Sequence, residues 1–430
     1  MTDTLKIGLA GLGTVGVGVV RLLRDNAELI RARAGRPIEI VAASARDRSR
    51  ARGVSLSGLK WCSNPLELAA DPAVDVVVEL IGGANGPARA LVEAALDAGK
   101  PVVTANKALL AEHGAALASH AEVRHASLRF EAAVAGGIPV IKALREGLAA
   151  NRIISVAGIL NGTCNYILSR MQSEKLDFAS VLTDAQQQGY AESDPSLDID
   201  GIDAAHKLAL LAAIAFGRVV DFAGVHVEGI RRVSQLDIGF ADALGYRIKL
   251  LGIARETKIG IETRVHPAMV PLKSPLAHVD GVFNAVVAEA DHCGSLFLQG
   301  RGAGAGPTAS AVVADLIDVA QGRDVPVFGA PIASLGARPS TPMDKHRGSY
   351  YLRLMVVDQP GVIADVSAVL RDHEISLESM LQQGRSPSEA VPVVLVTHDT
   401  QEAFMRTALV ELAMLDSVVE PPTLIRIEPG

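Results

Sequence analysis

The sequence predicts an α/β protein built in three parts, and three observations carry that reading. Over residues 1–140, short runs that are apolar throughout alternate with segments of helical spacing. Over 141–304 the rhythm changes to longer helices and to strands that alternate apolar with polar. From 350 to 430 the order is βαββαβ. The chain has 430 residues, nearly three times the roughly 150 of one domain.

In the first part LKIGLA (5–10), IEIVAASA (38–45), VDVVVELIG (74–82) and PVVTAN (101–106) read as strands. Strands apolar throughout and separated by helices imply βαβ units and a parallel sheet buried on both faces. In the second part RIISVAGILNG reads as a strand, Asn165 to Ala215 as mainly helical, and GIRRVSQL and GIETRVHPAMV as an antiparallel sheet region. The glycine-rich turn at 301–306 feeds a helix, and 305–325 is expected to pack back on the first domain. Segment 326–349 concentrates Pro, Gly, Ser and Ala, and reads as a linker that lets the tail fold alone.

Apolar residues make up 49% of the chain and charged residues 21%, which supports a large core and excludes a disordered polyelectrolyte. Lys plus Arg number 41 and Asp plus Glu 48, for a net charge of -7. With one Trp and 3% aromatics, the chain lacks the basic, stacking-rich surface of a nucleic-acid binder. Cys62, Cys164 and Cys293 are far apart, which argues against a disulfide framework and a structural zinc site. The N-terminus does not read as a signal peptide, and runs such as LALLAAIAF (208–216) are too short to span a bilayer. These features describe a cytoplasmic, reduced, soluble protein.

Gly11, Gly13 and Gly16 form G-x-G-x-x-G between the first strand and a helix. The first glycine permits the turn, the second lets backbone approach a pyrophosphate, and the third packs helix on strand. This is a Rossmann-type dinucleotide site, with Thr14 and Val15 inside the turn. The second strand ends in Ser44-Ala45-Arg46-Asp47, and a guanidinium at Arg46 suits a 2′-phosphate. NADP is therefore the cofactor expected, with NAD as the alternative that Asp47 keeps open.

Glu192, Asp194, Asp198, Asp200 and Asp203 precede Lys207 within 16 residues. Asp203 and Lys207 are four apart and share a helix face, so they can pair. A lysine at the edge of an apolar helix body and among carboxylates can donate a proton. The plain alternative is a solvated acidic loop followed by an ordinary salt bridge. His206 lies about 100° round the helix from Lys207 and reads as structural; Cys164 reads as a small buried residue.

The run A-x3-G-Y-A-x2-D-P-x2-D-I-x-G-x-D-x3-K, ending at Lys207, resembles the signature of homoserine dehydrogenases. GLGTVG, VVELIGG, TANKALLA, FEAAVAGGIPVI, GILNGTCNYIL and GAGAGPTASAVVADL resemble the same family, in its order, over residues 5–325. The resemblance implies NAD(P)-dependent interconversion of L-homoserine and L-aspartate 4-semialdehyde, on the route to threonine, methionine and isoleucine. It makes Lys207 the proton donor and Asp203 its orienting partner, with Glu192 and Asp198 holding the substrate's polar ends. It places Lys107 against substrate or nicotinamide, with Thr104 and Asn106 beside the cofactor. Lys107 could otherwise merely cap the following helix. By the same resemblance Glu131 and the carbonyls of Val134, Gly136 and Ile138 would hold a monovalent cation, sodium by expectation. Gly302 and Gly304 would close over the nicotinamide.

The tail, with Asp358-Gln359-Pro360-Gly361-Val362 after its first strand, resembles an ACT domain. Such modules bind small amino acids, which makes L-threonine an expected effector; the alternative is a module serving dimerisation alone. A homodimer or homotetramer is implied. The rival reading from another class is a catalytically inactive NADP-binding amino-acid sensor with the same fold.

Overall fold

A computed structural model describes residues 3–336, 338–382 and 389–428. Strands β1 (Leu5–Ala10), β2 (Ile38–Ser44), β3 (Lys60–Cys62), β4 (Val76–Glu79), β5 (Val102–Thr104) and β6 (Leu128–Arg129) form a parallel sheet. Their order is 3-2-1-4-5-6, so the order in which strands are added reverses between β1 and β4. Ligands bind open α/β sheets in the crevice beyond the strand ends at that point. Two of these strands, β3 and β6, escape a reading of the sequence, because runs of three and two residues carry no periodicity.

Helix Ala305–Ala320 lies against helix Thr14–Asp25 of this first domain. A Cβ on Gly18 would stand 2.5 Å from the Ala305 carbonyl oxygen, so the two backbones meet where a side chain is missing. Ala309, Val312, Val313 and Leu316 join Leu5, Ile7, Leu9, Val19 and Val20 in one buried cluster.

The second sheet is larger and mixed. It contains β7 (Ile153–Ile159), β8 (His226–Val227), β9 (Tyr246–Thr257), β10 (Gly260–Pro271), β11 (Phe283–Ala290) and β12 (Gly294–Arg301). It continues through β13 (Arg347–Val357), β14 (Leu377–Gln382), β15 (Ala390–Thr397) and β17 (Thr423–Ile427), while the two-residue β16 (Thr400–Gln401) pairs with β13. Helix Ile202–Phe216 packs on its β7, β9 and β10 side. That helix is apolar almost all round, with Leu208, Leu210 and Leu211 fully buried.

Two expectations are corrected here. GIRRVSQL (229–236) is not a strand; it turns into helix Gln235–Ala243, whose start is fixed by a reciprocal Ser234–Asp237 capping box. Segment 326–349 is not a free tether. Gly336 bridges to Arg218 and Ser340 to Ile261, and the Ile332 N–H donates to Glu122. The C-terminal βαββαβ module begins its first strand at Arg347, and its last strand, β17, pairs in parallel with β10. The module and the middle domain therefore share one sheet. Tyr351 and Arg353 of the module both reach Asp237, whose carboxylate is wholly buried. Composition shows a Pro- and Gly-rich stretch but not what its backbone pairs with.

Candidate active site

At the crevice of the first sheet the three motif glycines have three different surroundings. Gly11 has φ +96°, and a Cβ there would stand 2.4 Å from the Leu80 carbonyl oxygen. A Cβ on Gly16 would overlap the Gly11 carbonyl at 2.1 Å, whereas one on Gly13 would meet nothing within 4 Å. Gly11 and Gly16 are thus packing glycines, and Gly13 faces open space. Helix Thr14–Asp25 starts at Gly13 without a side-chain cap, which leaves the N–H groups of its first turn, at Thr14, Val15 and Gly16, for an anion. This fits a dinucleotide pyrophosphate.

Beyond β2, Arg46 is exposed. Asp47 is occupied within its own loop: its carboxylate accepts from Ser49 N at 2.8 Å and Ser49 Oγ at 2.6 Å. Arg52 ties that loop to the glycine-rich turn by donating to the Leu12 carbonyl at 3.2 Å.

The end of β4 supplies a residue that the sequence reading missed. Glu79 is fully buried and accepts from Ile81 N at 2.7 Å, Gly82 N at 3.1 Å and Thr104 Oγ1 at 2.6 Å. Thr104 Oγ1 in turn accepts from Asn106 N at 3.0 Å, and Asn106 Oδ1 caps the helix Lys107–Val123. The cap of that helix is Asn106; Lys107 is its first residue and points elsewhere.

Lys107 Nζ lies 3.0 Å from Asp203 Oδ1, and Lys207 Nζ lies 2.7 Å from Asp203 Oδ2. One carboxylate thus bridges two ammoniums that come from different domains. Lys207 also donates to the Leu160 carbonyl at 2.7 Å. Asn161, the N-cap of helix Gly162–Glu174, donates to Asp203 at 2.8 Å and to Asp198 at 2.7 Å. An Asn before Gly at a helix start signals a cap, but nothing in its spacing shows that its amide faces Asp203.

Burial pushes the Asp203 carboxyl up, but Lys207, Lys107 and Asn161 outweigh it and hold it below the usual carboxylate range. Asp203 does the reverse for Lys107, holding its ammonium above the usual lysine range despite desolvation. The Lys107–Asp203 pair is therefore ionic.

Gly82, Gly83, Asn106, Lys107, Glu192, Asp198 and Asp203 line one cavity of about 300 Å³. His206 lines it too, with its ring 4.5 Å from that of Phe222. The structural reading of His206 is thus incomplete, since helix Ile202–Phe216 meets the cavity along its edge and not along one line of residues. Burial lowers its pKa, which favours the neutral ring. Cys164 is buried, and its thiol donates to the Asp198 carbonyl at 3.2 Å.

A separate cluster surrounds Glu131. Its carboxylate accepts from Ile141 N and Lys142 N, both at 2.9 Å, and the loop beyond it carries Ala135 and Gly136 in the left-handed region. A Cβ on Gly136 would stand 2.4 Å from the Gly302 carbonyl, and Gly137 N donates to the Arg301 carbonyl. The Val134–Ile138 loop and the Gly302–Gly304 turn are therefore in contact.

A family model for homoserine dehydrogenase matches residues 139–317, and one for the homoserine dehydrogenase NAD binding domain matches 11–131. A homoserine dehydrogenase of Neisseria gonorrhoeae is 48% identical, over 99% of this chain and 98% of its own. The chain belongs to the homoserine dehydrogenase family. A crystal structure of a homoserine dehydrogenase from Thiobacillus denitrificans superposes with a TM-score of 0.94 at 47% identity, over 99% of this chain and 98% of its own. A hyperthermophilic archaeal homoserine dehydrogenase in complex with NADPH covers 74% of this chain and 97% of its own, with a TM-score of 0.63 at 26% identity.

Residues 350–403 match the ACT domain model. As in its family, the activity is that of an NAD(P)-dependent oxidoreductase interconverting L-homoserine and L-aspartate 4-semialdehyde. The reading of an inactive sensor finds no support in these relatives. No helix among the described residues is long and apolar enough to cross a membrane.

Proposed function

We propose that Lys207 is the proton donor to the aldehyde oxygen and that Asp203 orients it. The observation that carries this reading is the single Asp203 carboxylate held between Lys207 and Lys107. An ammonium has three N–H donors. Lys207 spends one on Leu160 and one on Asp203, which leaves one for a substrate oxygen. When bound, the nicotinamide exchanges a hydride with the substrate carbon; the chain itself has to move the proton at oxygen. Lys107, half-exposed in the cavity, faces the substrate, and Glu192 and Asp198 give the cavity the negative lining that an amino acid's ammonium needs. Gly302 and Gly304 flank the nicotinamide, and Thr104 and Asn106 border it.

The cofactor under this reading is NADP, with NAD as the weaker ligand. Support comes from the exposed Arg46 and from Asp47 being turned into its own loop. The NADPH-bound archaeal neighbour points the same way.

A monovalent cation, sodium by preference, would be held by Glu131 and the carbonyls of Val134, Gly136 and Ile138. The residues fit such an ion: an oxygen-only donor set stands beside Asp315, whose Oδ1 is buried without a hydrogen-bond partner. It would neutralise that compartment and steady the loop that touches Gly302.

The ACT-like module would take L-threonine at the Gly361 turn. The working unit is a homodimer or homotetramer, since β12 leaves one edge of the large sheet unpaired among the described residues. With its three cysteines free, the enzyme suits the reducing cytoplasm. Homoserine-dependent reduction of NADP by the purified protein, measured beside Lys207→Ala, tests the central assignment.

A further inference from the structure

The buried charges that the catalytic reading leaves unused gather where β10 meets β17. Arg426, on β17, is 4% exposed. It grips Glu402 of its own module at 2.5 and 3.0 Å. Its other face makes a two-point contact with Glu228 of the middle domain, at 2.9 Å to each oxygen. Below, Arg264 joins Glu262 at 2.6 Å and Glu428 at 3.0 Å, and His346 reaches Glu262 at 3.1 Å. Tyr350 donates to Glu402 at 2.8 Å. Buried ion networks of this kind are poor sources of net stability, but they define one arrangement strongly, because breaking a pair strands a charge.

Glu228 is also the start of a short segment that presses on the substrate acids. A Cβ on Gly229 would lie 2.2 Å from the Ile199 carbonyl and 2.5 Å from Asp200 Cα. Ile230 N donates to that same Ile199 carbonyl at 2.9 Å. Arg231 holds Asp200 at 2.9 Å and Ser196 Oγ at 3.1 Å. Residues 196–203 therefore rest on 228–231 through backbone contact and an ion pair. They carry Asp198 on the cavity wall and lead into the helix that bears Asp203 and Lys207.

We infer that Arg426 is a positioning residue for the substrate site: through Glu228 it fixes the 228–231 segment, and so the placement of Asp198 and Asp203. The C-terminal module is then a structural member of the substrate pocket, and any shift of β17 against β10 reaches the substrate acids within a few residues. The inference rests on the reading of those acids as the homoserine site. The glycine-rich turn and Arg46 stand on the other sheet and are not touched by this route.

The test uses the full-length enzyme with L-homoserine and NADP as probes. Arg426→Ala is expected to raise KM for homoserine about tenfold, within the usual range of coupling between sites. KM for NADP should stay within a factor of about two, and Arg426→Lys should recover part of the loss. Glu228→Gln, which keeps shape and lies outside the module, should reproduce the effect even if the arginine variant folds poorly. A homoserine KM unchanged in folded Glu228→Gln, or a uniform loss of active enzyme with both KM values intact, overturns the inference. Asp198→Asn serves as the control: if it leaves the homoserine KM unchanged, the substrate reading itself fails, whatever Arg426 does.

Discussion

The backbone N–H of Glu131 donates to the Asp315 carboxylate at 2.8 Å, which brings two acidic side chains into one buried compartment. Burial first, and Asp315 second, push the Glu131 carboxyl up to about 7; burial likewise raises Asp315 to about 6. Lys142 lies 3.7 Å from Asp315 and 2.5 Å from Asp318, so it offsets this charge only in part.

A raised acid is favoured in its protonated form by the folded state, so the unfolded chain binds fewer protons between the two pKa values. The contribution to stability is present below the ordinary carboxylate range and is lost as pH rises through about 7. In buffer free of sodium, Tm should therefore fall from pH 5 toward pH 8, and Glu131→Gln should flatten that slope. Added sodium should raise Tm at pH 8 more than at pH 5. Equal effects at both pH values would remove the cation from this site.

Lys207→Ala should lower kcat by about 10² or more, since general acid catalysis is worth that much. Cofactor affinity, read by fluorescence titration, should stay near normal. Near-wild-type turnover would dismiss Lys207 as the donor.

Asp203→Asn removes the charge between two ammoniums while Asn161 can still donate to the remaining oxygen. The pKa of Lys107 should then fall, because Asp203 is the main cause of its elevation. The alkaline limb of the kcat/KM profile should move to lower pH. An unmoved limb would mean that Lys107 does not titrate in the rate.

Arg46→Ala should weaken NADP far more than NAD, as expected when a guanidinium meets a 2′-phosphate. Direct binding of both cofactors measures this. Equal losses would place Arg46 in a solvated loop with no part in discrimination.

L-threonine should inhibit at up to millimolar concentration, and a substitution at the Gly361 turn, which lies in a different module from the cavity, should remove that response. Inhibition unchanged in the Gly361 variant would put threonine in the substrate cavity instead.

The sequence by itself determined the elements whose signal is local. Gly11, Gly13 and Gly16 between a strand and a helix specify a phosphate-binding turn, because backbone freedom at those spacings has few other uses. Asp203 and Lys207, four apart on an apolar helix, had to share a face. Only tertiary structure could decide what lies across a domain boundary. That Lys107 faces Asp203, that Asn161 holds Asp198 and Asp203 together, and that Glu79 holds the Thr104 hydroxyl are meetings of residues 25 to 96 positions apart. The same holds for β17, whose five residues read equally well as the end of an independent module. Pairing with β10 is chosen by register and by the charges at Arg426, Glu228 and Arg264, and no local pattern along the chain encodes the partner of an edge strand.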